Sequence, residues 1–169
     1  LCEVETQSTR PDAQYHPLVE SDDFSEWNPE QKRLFGTFGW KSCWQFNHEP
    51  ELSWIENDAE KGCLRMVCRK QCKNVTQAVN TITQRMKFPV CITEVTVDAE
   101  GIKDGDYAGM CALQGCYGMA AVTKRDGQML LVMRSLEEEH DSIEGNQGNS
   151  EEIEWEAVEV ESSKIRIRM

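Results

Sequence analysis

The chain has 169 residues, of which 39% are hydrophobic, and its 30 acidic and 18 basic residues give it a formal net charge of −12. This length suits one domain with an adequate core. So large an acidic excess is repelled by phosphate backbones and anionic lipids, and no apolar stretch has the length of a bilayer span, so neither nucleic acid nor a membrane is an expected partner.

The first residues differ from the rest. Residues 1–21 are polar and show no period, so we interpret them as a linker or lead-in and predict the domain proper over residues 22–169. Asp22 and Asp23 stand just before the first strand signal. Carboxylates are ligands that Ca²⁺ prefers, so Asp23 is a candidate ligand for a structural Ca²⁺, with a capped turn as the alternative. Residues 29–35 could form one short turn of helix.

The next signal is the run Trp44-Gln45-Phe46-Asn47, in which aromatic residues alternate with amides as on a two-faced strand. Trp44 and Phe46 share a face, which we expect to point into the core, and Gln45 and Asn47 share the other. Sugars need flat apolar surface beside hydrogen-bonding groups, so Trp44, Gln45 and Asn47 are candidate carbohydrate contacts. The alternative is that they pack in the core and tie neighbouring strands.

Strand patterns fill most of the remaining chain. Gly62 opens one strand, residues 91–97 predict another, and residues 164–169 alternate apolar and basic side chains. Asp126-Gly127 between two apolar runs is a strong hairpin signal. Residues 137–161 carry eleven acids without a Lys or Arg, which predicts a long mobile loop leading into a strand near residues 155–160. Short strands joined by turns predict an all-β, two-sheet antiparallel β-sandwich.

Several motifs follow one another in the order of a known family. They are Asp22-Asp23-Phe24, Trp44 to Pro50, Ser53-Trp54, Gly62 to Met66, Asn80 to Arg85, Asp106 to Met110, Tyr117-Gly118 and Arg125-Asp126-Gly127. Residues 22–134 thereby resemble the C-terminal β-sandwich domain of glycoside hydrolase family 43 β-xylosidases and α-L-arabinofuranosidases. The chain departs from the family pattern in three places. Residues 39–43 are more polar than the family's usual run, Ser53-Trp54 reverses its Trp-Ser order, and Cys63 stands where the family has Tyr.

The resemblance implies a concanavalin-A-like jelly roll that is non-catalytic by itself. Its expected partners are a family 43 catalytic propeller, which carries the catalytic carboxylates, and a xylan or arabinoxylan oligosaccharide. Family members continue with further strands, so we expect the last strands to be missing from this chain. The motifs and aromatic positions together nominate seven carbohydrate contacts: Trp44, Gln45, Asn47, Gln84, Arg85, Tyr107 and Tyr117. No cofactor is expected apart from the calcium considered at Asp23.

Two other functions stay open. A free-standing carbohydrate-binding module or lectin-like domain would have the same fold. A jelly-roll hydrolase is the other possibility, because Glu56 to Glu60 matches the Glu-x-Asp-x-Glu catalytic strand of family 16 glucanases, with Glu56 and Glu60 as the carboxylate pair. Against it, Asn57 and Ala59 stand where that family has apolar residues, and Asn and Asp favour turns. We therefore expect a solvated loop at residues 56–60.

The eight cysteines bear on the cellular compartment. Their even number permits a disulfide framework, but a domain of this size does not require one. Cys63, Cys68, Cys91 and Cys111 fall in apolar strand patterns, where an unpaired cysteine behaves as a small hydrophobic residue. Reduced thiols in a reducing compartment are the favoured interpretation. No pair has the Cys-x-x-Cys spacing of a structural zinc site.

Overall fold

The computed structural model describes residues 9–10, 12, 17–26, 39–137 and 151–169. The predicted turn of helix at residues 29–35, most of the lead-in and most of the acidic loop lie outside these residues. The described part contains ten strands and two short 3₁₀ turns, Leu52–Trp54 and Val75–Gln77, and no α-helix. All of its strand ladders are antiparallel, which confirms the predicted all-β class. Neither 3₁₀ turn has the length or the apolar character that crossing a bilayer requires.

The strands are numbered in chain order. They are β1 (Gln45–Phe46), β2 (Ile55–Asp58), β3 (Cys63–Met66), β4 (Ile82–Thr83), β5 (Glu94–Asp98), β6 (Tyr107–Gln114), β7 (Cys116–Arg125), β8 (Gln128–Leu136), β9 (Ile153–Glu159) and β10 (Lys164–Arg168). The chain forms two compact units, Leu1–Gln71 with Ala78–Phe88, and Cys72–Gln77 with Pro89–Met169.

The first unit contains two short ladders. β1 pairs with β4, and β2 pairs with β3. Phe46 on β1 packs against the buried Trp40, with ring centroids 5.6 Å apart, whereas Gln45 and Asn47 are exposed. The predicted two-faced character of this run is therefore confirmed, because alternate side chains of a strand point to opposite faces.

The second unit is built on a four-stranded sheet in the order β6-β7-β8-β9, with β5 and β10 forming a separate ladder. Val122 and Val132 are essentially inaccessible to solvent at its centre. At one end of the sheet Tyr117, Met119 and Leu136 form a buried cluster on which Val75 packs. Long central strands with small and branched apolar side chains thus supply the core of this unit.

The β7–β8 hairpin forms where Asp126-Gly127 predicts it, with Arg125 paired to Gln128. Asp126 has a φ of 50° and Gly127 a φ of 81°, as a two-residue turn of type I′ requires. On the neighbouring strand, a Cβ on Gly109 would lie only 2.2 Å from the carbonyl oxygen of Ala120. Only glycine therefore allows β6 to approach β7 this closely.

The expected loop at residues 56–60 is wrong for its first part. Glu56, Asn57 and Asp58 belong to β2, and only residues 59–60 lie in the turn before β3. Asn57 is tolerated in the strand because its side-chain amide donates to the carbonyl of Phe24 at 3.4 Å. Glu56 gains an oppositely charged neighbour directly across the ladder, where such pairs stabilise a sheet.

The cysteines follow the strand prediction only in part. Cys63 lies in β3 and Cys111 in β6, but Cys68 and Cys91 lie outside the strands because the β2–β3 and β5–β10 ladders do not reach them. Burial raises the pKa of the Cys111 thiol, which keeps it protonated and unreactive. No disulfide joins any of the seven cysteines that the structure describes.

The last strand carries an apolar face, as the alternation in residues 164–169 predicts. On β10 Ile167 is buried and Ile165 half-buried, but Met169 is 41% exposed. Of the three apolar side chains on this face, Met169 is therefore the most exposed. This residue lies just past the end of the strand, where its backbone still pairs with Thr93.

Candidate functional site

The predicted sugar platform at Trp44 is engaged within the first unit. Its indole Nε1 donates to Oδ2 of Asp22 at 2.8 Å, and its ring stacks on Phe24 with centroids 5.6 Å apart. The other carboxylate oxygen of Asp22 accepts from the backbone N–H of Phe24 at 2.9 Å. One face and the polar edge of this tryptophan are thus used to fasten the chain that precedes β1.

Gln84 fastens the same lead-in segment. Its side-chain amide acts like a short piece of strand: Oε1 accepts from the backbone N–H of Glu20 at 3.2 Å, and Nε2 donates to the carbonyl of Glu20 at 3.0 Å. Lys41 adds a bond from Nζ to the carbonyl of Ser21 at 2.8 Å. The amide predicted to hold sugar hydroxyls therefore satisfies backbone groups instead.

Three other candidates of the first unit face solvent. Gln45, Asn47 and Arg85 are all exposed, and the side-chain amide of Asn47 lies 3.3 Å from the ring Nε2 of His48. Their donors and acceptors are of the kind that binds sugar hydroxyls, and carbohydrate contact by these three residues stays a prediction.

Asn80, from the same family motif as Gln84 and Arg85, has a structural task. It adopts a left-handed φ of 64°, and its buried side chain accepts from the N–H of Glu51 at 2.9 Å and donates to the carbonyl of Glu51 at 3.0 Å. Asparagine is one of the few residues that tolerates this backbone conformation while its side chain replaces a backbone partner.

In the second unit Tyr117 is 4% exposed and cannot stack on a sugar. Its hydroxyl donates to Oε1 of Glu152, the residue just before β9. Burial, and then the hydrogen bond to the Glu152 carboxylate, raises the pKa of Tyr117 well above its ordinary value. The phenol therefore stays neutral and holds the entry to β9 against β7.

Four charged residues connected by ion pairs extend from Tyr117, and we call them the charged cluster: Arg125, Arg134, Glu152 and Glu154. Arg134 Nη1 is 2.6 Å from Glu152 Oε2, and its guanidinium lies 5.0 Å from the ring centroid of Tyr107. Arg125 binds both carboxylate oxygens of Glu154. This bidentate bond, followed by one to Tyr107, raises the pKa of Arg125, and the same pair lowers the pKa of Glu154.

The charged cluster ties the edge strand β9 to β7 and β8. Beside it lies an open depression of about 280 Å³, lined by Lys73, Asn74, Arg134, Leu136, Glu151 and Glu152. Sequence reasoning assigned no role to these pairs, because it interpreted the acidic run after residue 137 as solvated. The sequence signal that pointed to these pairs was Arg125 in the Arg-Asp-Gly motif, because opposite charges on neighbouring strands stabilise a sheet.

The two carboxylates considered for hydrolysis lie in different settings. Glu56 is exposed on β2 and forms an ion pair with Arg65 on β3 at 3.1 Å, whereas Glu60 is exposed in the following turn. Because Glu60 is outside the strand, the two do not present one shared strand face as the glucanase pattern requires.

The calcium candidate Asp23 closes a local turn. Its Oδ1 accepts from the hydroxyl and the backbone N–H of Ser25 at 2.7 and 3.1 Å, and these bonds lower the pKa of Asp23. Within the described ranges, no three His, Cys, Asp or Glu side chains are grouped so that they could share a metal ion. Calcium binding at Asp23 stays a prediction.

Comparison with known proteins gives the family. The model of the β-xylosidase C-terminal concanavalin-A-like domain matches residues 35–168. A solved structure described as a bifunctional GH43-CE protein from Bacteroides eggerthii aligns with a TM-score of 0.68 and 31% identity, covering 87% of this chain and 17% of that one. No curated protein matches. The chain belongs to the family of β-xylosidase C-terminal concanavalin-A-like domains of family 43 glycoside hydrolases.

Proposed function

We propose that this chain is the accessory β-sandwich of a xylan- or arabinoxylan-degrading family 43 glycosidase, and that its main task is to support the catalytic domain of its parent. Family membership implies such a catalytic domain in the parent protein. By itself the chain hydrolyses no glycoside.

One observation carries the supporting role: two of the motif residues nominated as sugar contacts, Trp44 and Gln84, form internal hydrogen bonds. Gln84 binds the backbone of Glu20, and Trp44 binds Asp22, so the motif fixes the path of the chain leading into the domain. A rigid lead-in favours a fixed orientation between the domains it connects, because few conformations remain to be lost when they dock.

The test compares two glutamines of the first unit in the intact parent enzyme, the half-buried Gln84 and the exposed Gln45. Gln84→Ala removes both bonds to Glu20 and is expected to lower the thermal stability of the enzyme and its activity on aryl-xyloside after heating. Gln45→Ala, on the exposed face of β1, serves as the control and should change neither. Equal behaviour of the two variants would contradict the supporting role.

A second measurement addresses catalysis. The isolated chain is expected to release no aryl group from aryl-xyloside or aryl-arabinofuranoside. Turnover that disappears in both Glu56→Gln and Glu60→Gln would overturn the accessory assignment and favour the jelly-roll hydrolase.

A further inference from the structure

Trp155 is the one large aromatic side chain on the outer part of the β8–β9 pair, and 59% of it is exposed. The β8–β9 register explains the position of this side chain in the strand. Glu156 pairs with Met133 and Glu154 pairs with Arg134, so Trp155 is an extra residue without a partner in the ladder. It is the inserted residue of a β-bulge, a device that redirects side chains and is concentrated beside functional sites.

The bulge places Glu154 and Trp155 on opposite faces of the strand pair. Glu154 turns to Arg125 and Arg134 in the charged cluster. Trp155 turns to the opposite face, since its indole Nε1 donates to Oγ of Ser135 on β8 at 2.9 Å. The indole thus reaches across from β9 to β8, and more than half of the side chain remains accessible to solvent.

The surroundings of the ring combine apolar and acceptor groups. Met133, Ile153 and Val158 are about half exposed, at 53%, 46% and 50%, on the same pair of strands. Glu156 follows the ring directly and is exposed opposite Met133. A flat aromatic surface with an adjacent carboxylate suits a neutral sugar, whose C–H face stacks on the ring while its hydroxyls donate to the carboxylate.

Resting on the proposed function, we propose that Trp155 is a stacking platform for a β-linked pentose chain, with a xylo-oligosaccharide as its ligand. Xylose lacks the hydroxymethyl group of hexoses, so both faces of its ring can approach an aromatic surface closely. The net charge of −12 and the exposed Glu156 disfavour a polyanionic polysaccharide.

A protein partner is the competing occupant of this surface, because tryptophan is frequent at protein interfaces. Charged residues are depleted from the centre of such interfaces. Here Glu156 lies between Trp155 and Val158 in the strand, within the apolar patch itself. The carboxylate would be costly under a protein but is an acceptor for a sugar.

The experiment is a calorimetric titration of the full chain with xylohexaose. Trp155→Ala is expected to weaken binding at least about tenfold, the loss of a ring contact, and Trp155→Phe to weaken it less. Ile92→Ala is the matched control, since it removes apolar area of similar exposure, 63%, outside the β8–β9 pair, and should change the affinity less than about twofold. Near-UV circular dichroism checks that each variant is folded.

A second readout uses only the unsubstituted protein. Saturating xylohexaose should protect tryptophan fluorescence from acrylamide quenching, because Trp155 is the most exposed tryptophan in the described part of the chain. No saturable binding at about 10 mM xylohexaose would overturn the proposal. So would an affinity that Trp155→Ala leaves unchanged, or a variant whose defect is confined to association with the catalytic domain, which would identify a protein-docking surface.

The two proposals fail separately. If the chain binds no xylohexaose but Gln84→Ala still destabilises the parent enzyme, the supporting role stands and the platform does not. If Gln84→Ala leaves the stability and activity of the parent enzyme unchanged while Trp155→Ala weakens xylohexaose binding, the chain acts as a carbohydrate-binding module.

Discussion

Replacing Glu152 by Ala should destabilise the second unit strongly, because this carboxylate has two partners in a poorly solvated place. It accepts from the hydroxyl of Tyr117 and pairs with Arg134. The side chains of Glu152 and Arg134 are only 12% and 19% exposed, and Tyr117 is 4% exposed. In the variant, water cannot readily reach the hydroxyl of the buried Tyr117.

The magnitude follows from the groups left behind. A buried hydroxyl without its acceptor costs about 1–3 kcal/mol. Breaking a buried ion pair costs roughly 3–5 kcal/mol, but Arg134 keeps Glu154 within 3.8 Å and the ring of Tyr107, which reduces its share. We expect a total of about 3–5 kcal/mol, which lowers the melting temperature by roughly 6–20 °C for a chain of this size.

The assay is urea unfolding of the isolated chain, followed by far-UV circular dichroism, with hydrogen exchange of β9 to localise the effect. Glu151→Ala is the control: it removes the same charge one residue earlier, at an exposed position, and should change the free energy of unfolding by less than about 0.5 kcal/mol. A loss below about 1 kcal/mol for Glu152→Ala, or equal losses in the two variants, would refute the reasoning.

Three further predictions concern the same fold. Gly109→Ala should cost about 2–4 kcal/mol in urea unfolding, because its Cβ would overlap the backbone of β7, whereas Gly118→Ala, with open space at its Cβ, should cost under about 1 kcal/mol. Asn80→Ala should cost about 2–3 kcal/mol by calorimetry, since Glu51 loses two side-chain bonds and alanine strains at positive φ, and Asn80→Gly should recover the strain part. In an absorbance titration of the three tyrosines, Tyr117 should ionise only as the protein unfolds; its raised pKa stabilises the fold below the ordinary tyrosine value of about 10, and this contribution is lost as pH rises through the folded pKa. Normal ionisation of all three in folded protein would contradict it.

The features predicted correctly from the sequence are those set by near neighbours. The hairpin at Asp126-Gly127 depends on two backbone conformations, and the faces of Trp44 and Phe46 depend on strand alternation. The family resemblance could also be recognised from the sequence, because the family's motifs keep their order along the chain.

The candidate site was less accessible to prediction because its partners are distant in sequence. Gln84 and Glu20 are 64 residues apart, and Tyr117 and Glu152 are 35 apart. A Gln or Tyr in a motif looks the same in the sequence whether its side chain binds a sugar or another part of the protein. Only the folded path of the chain decides which partner it meets, and composition does not encode contacts between residues so far apart in sequence.

The motif residues and the proposed platform illustrate why recognising a family does not locate its site. Asn80 and Gly109 belong to the motifs, and each meets a demand of the backbone: a left-handed conformation in one case, a close strand approach in the other. Substituting either would damage the fold before it touched any ligand. A ligand contact should have the opposite profile, exposed and replaceable without loss of stability. Trp155 has that profile, since it lies outside every motif and projects from a bulge, and its substitution should separate binding from folding.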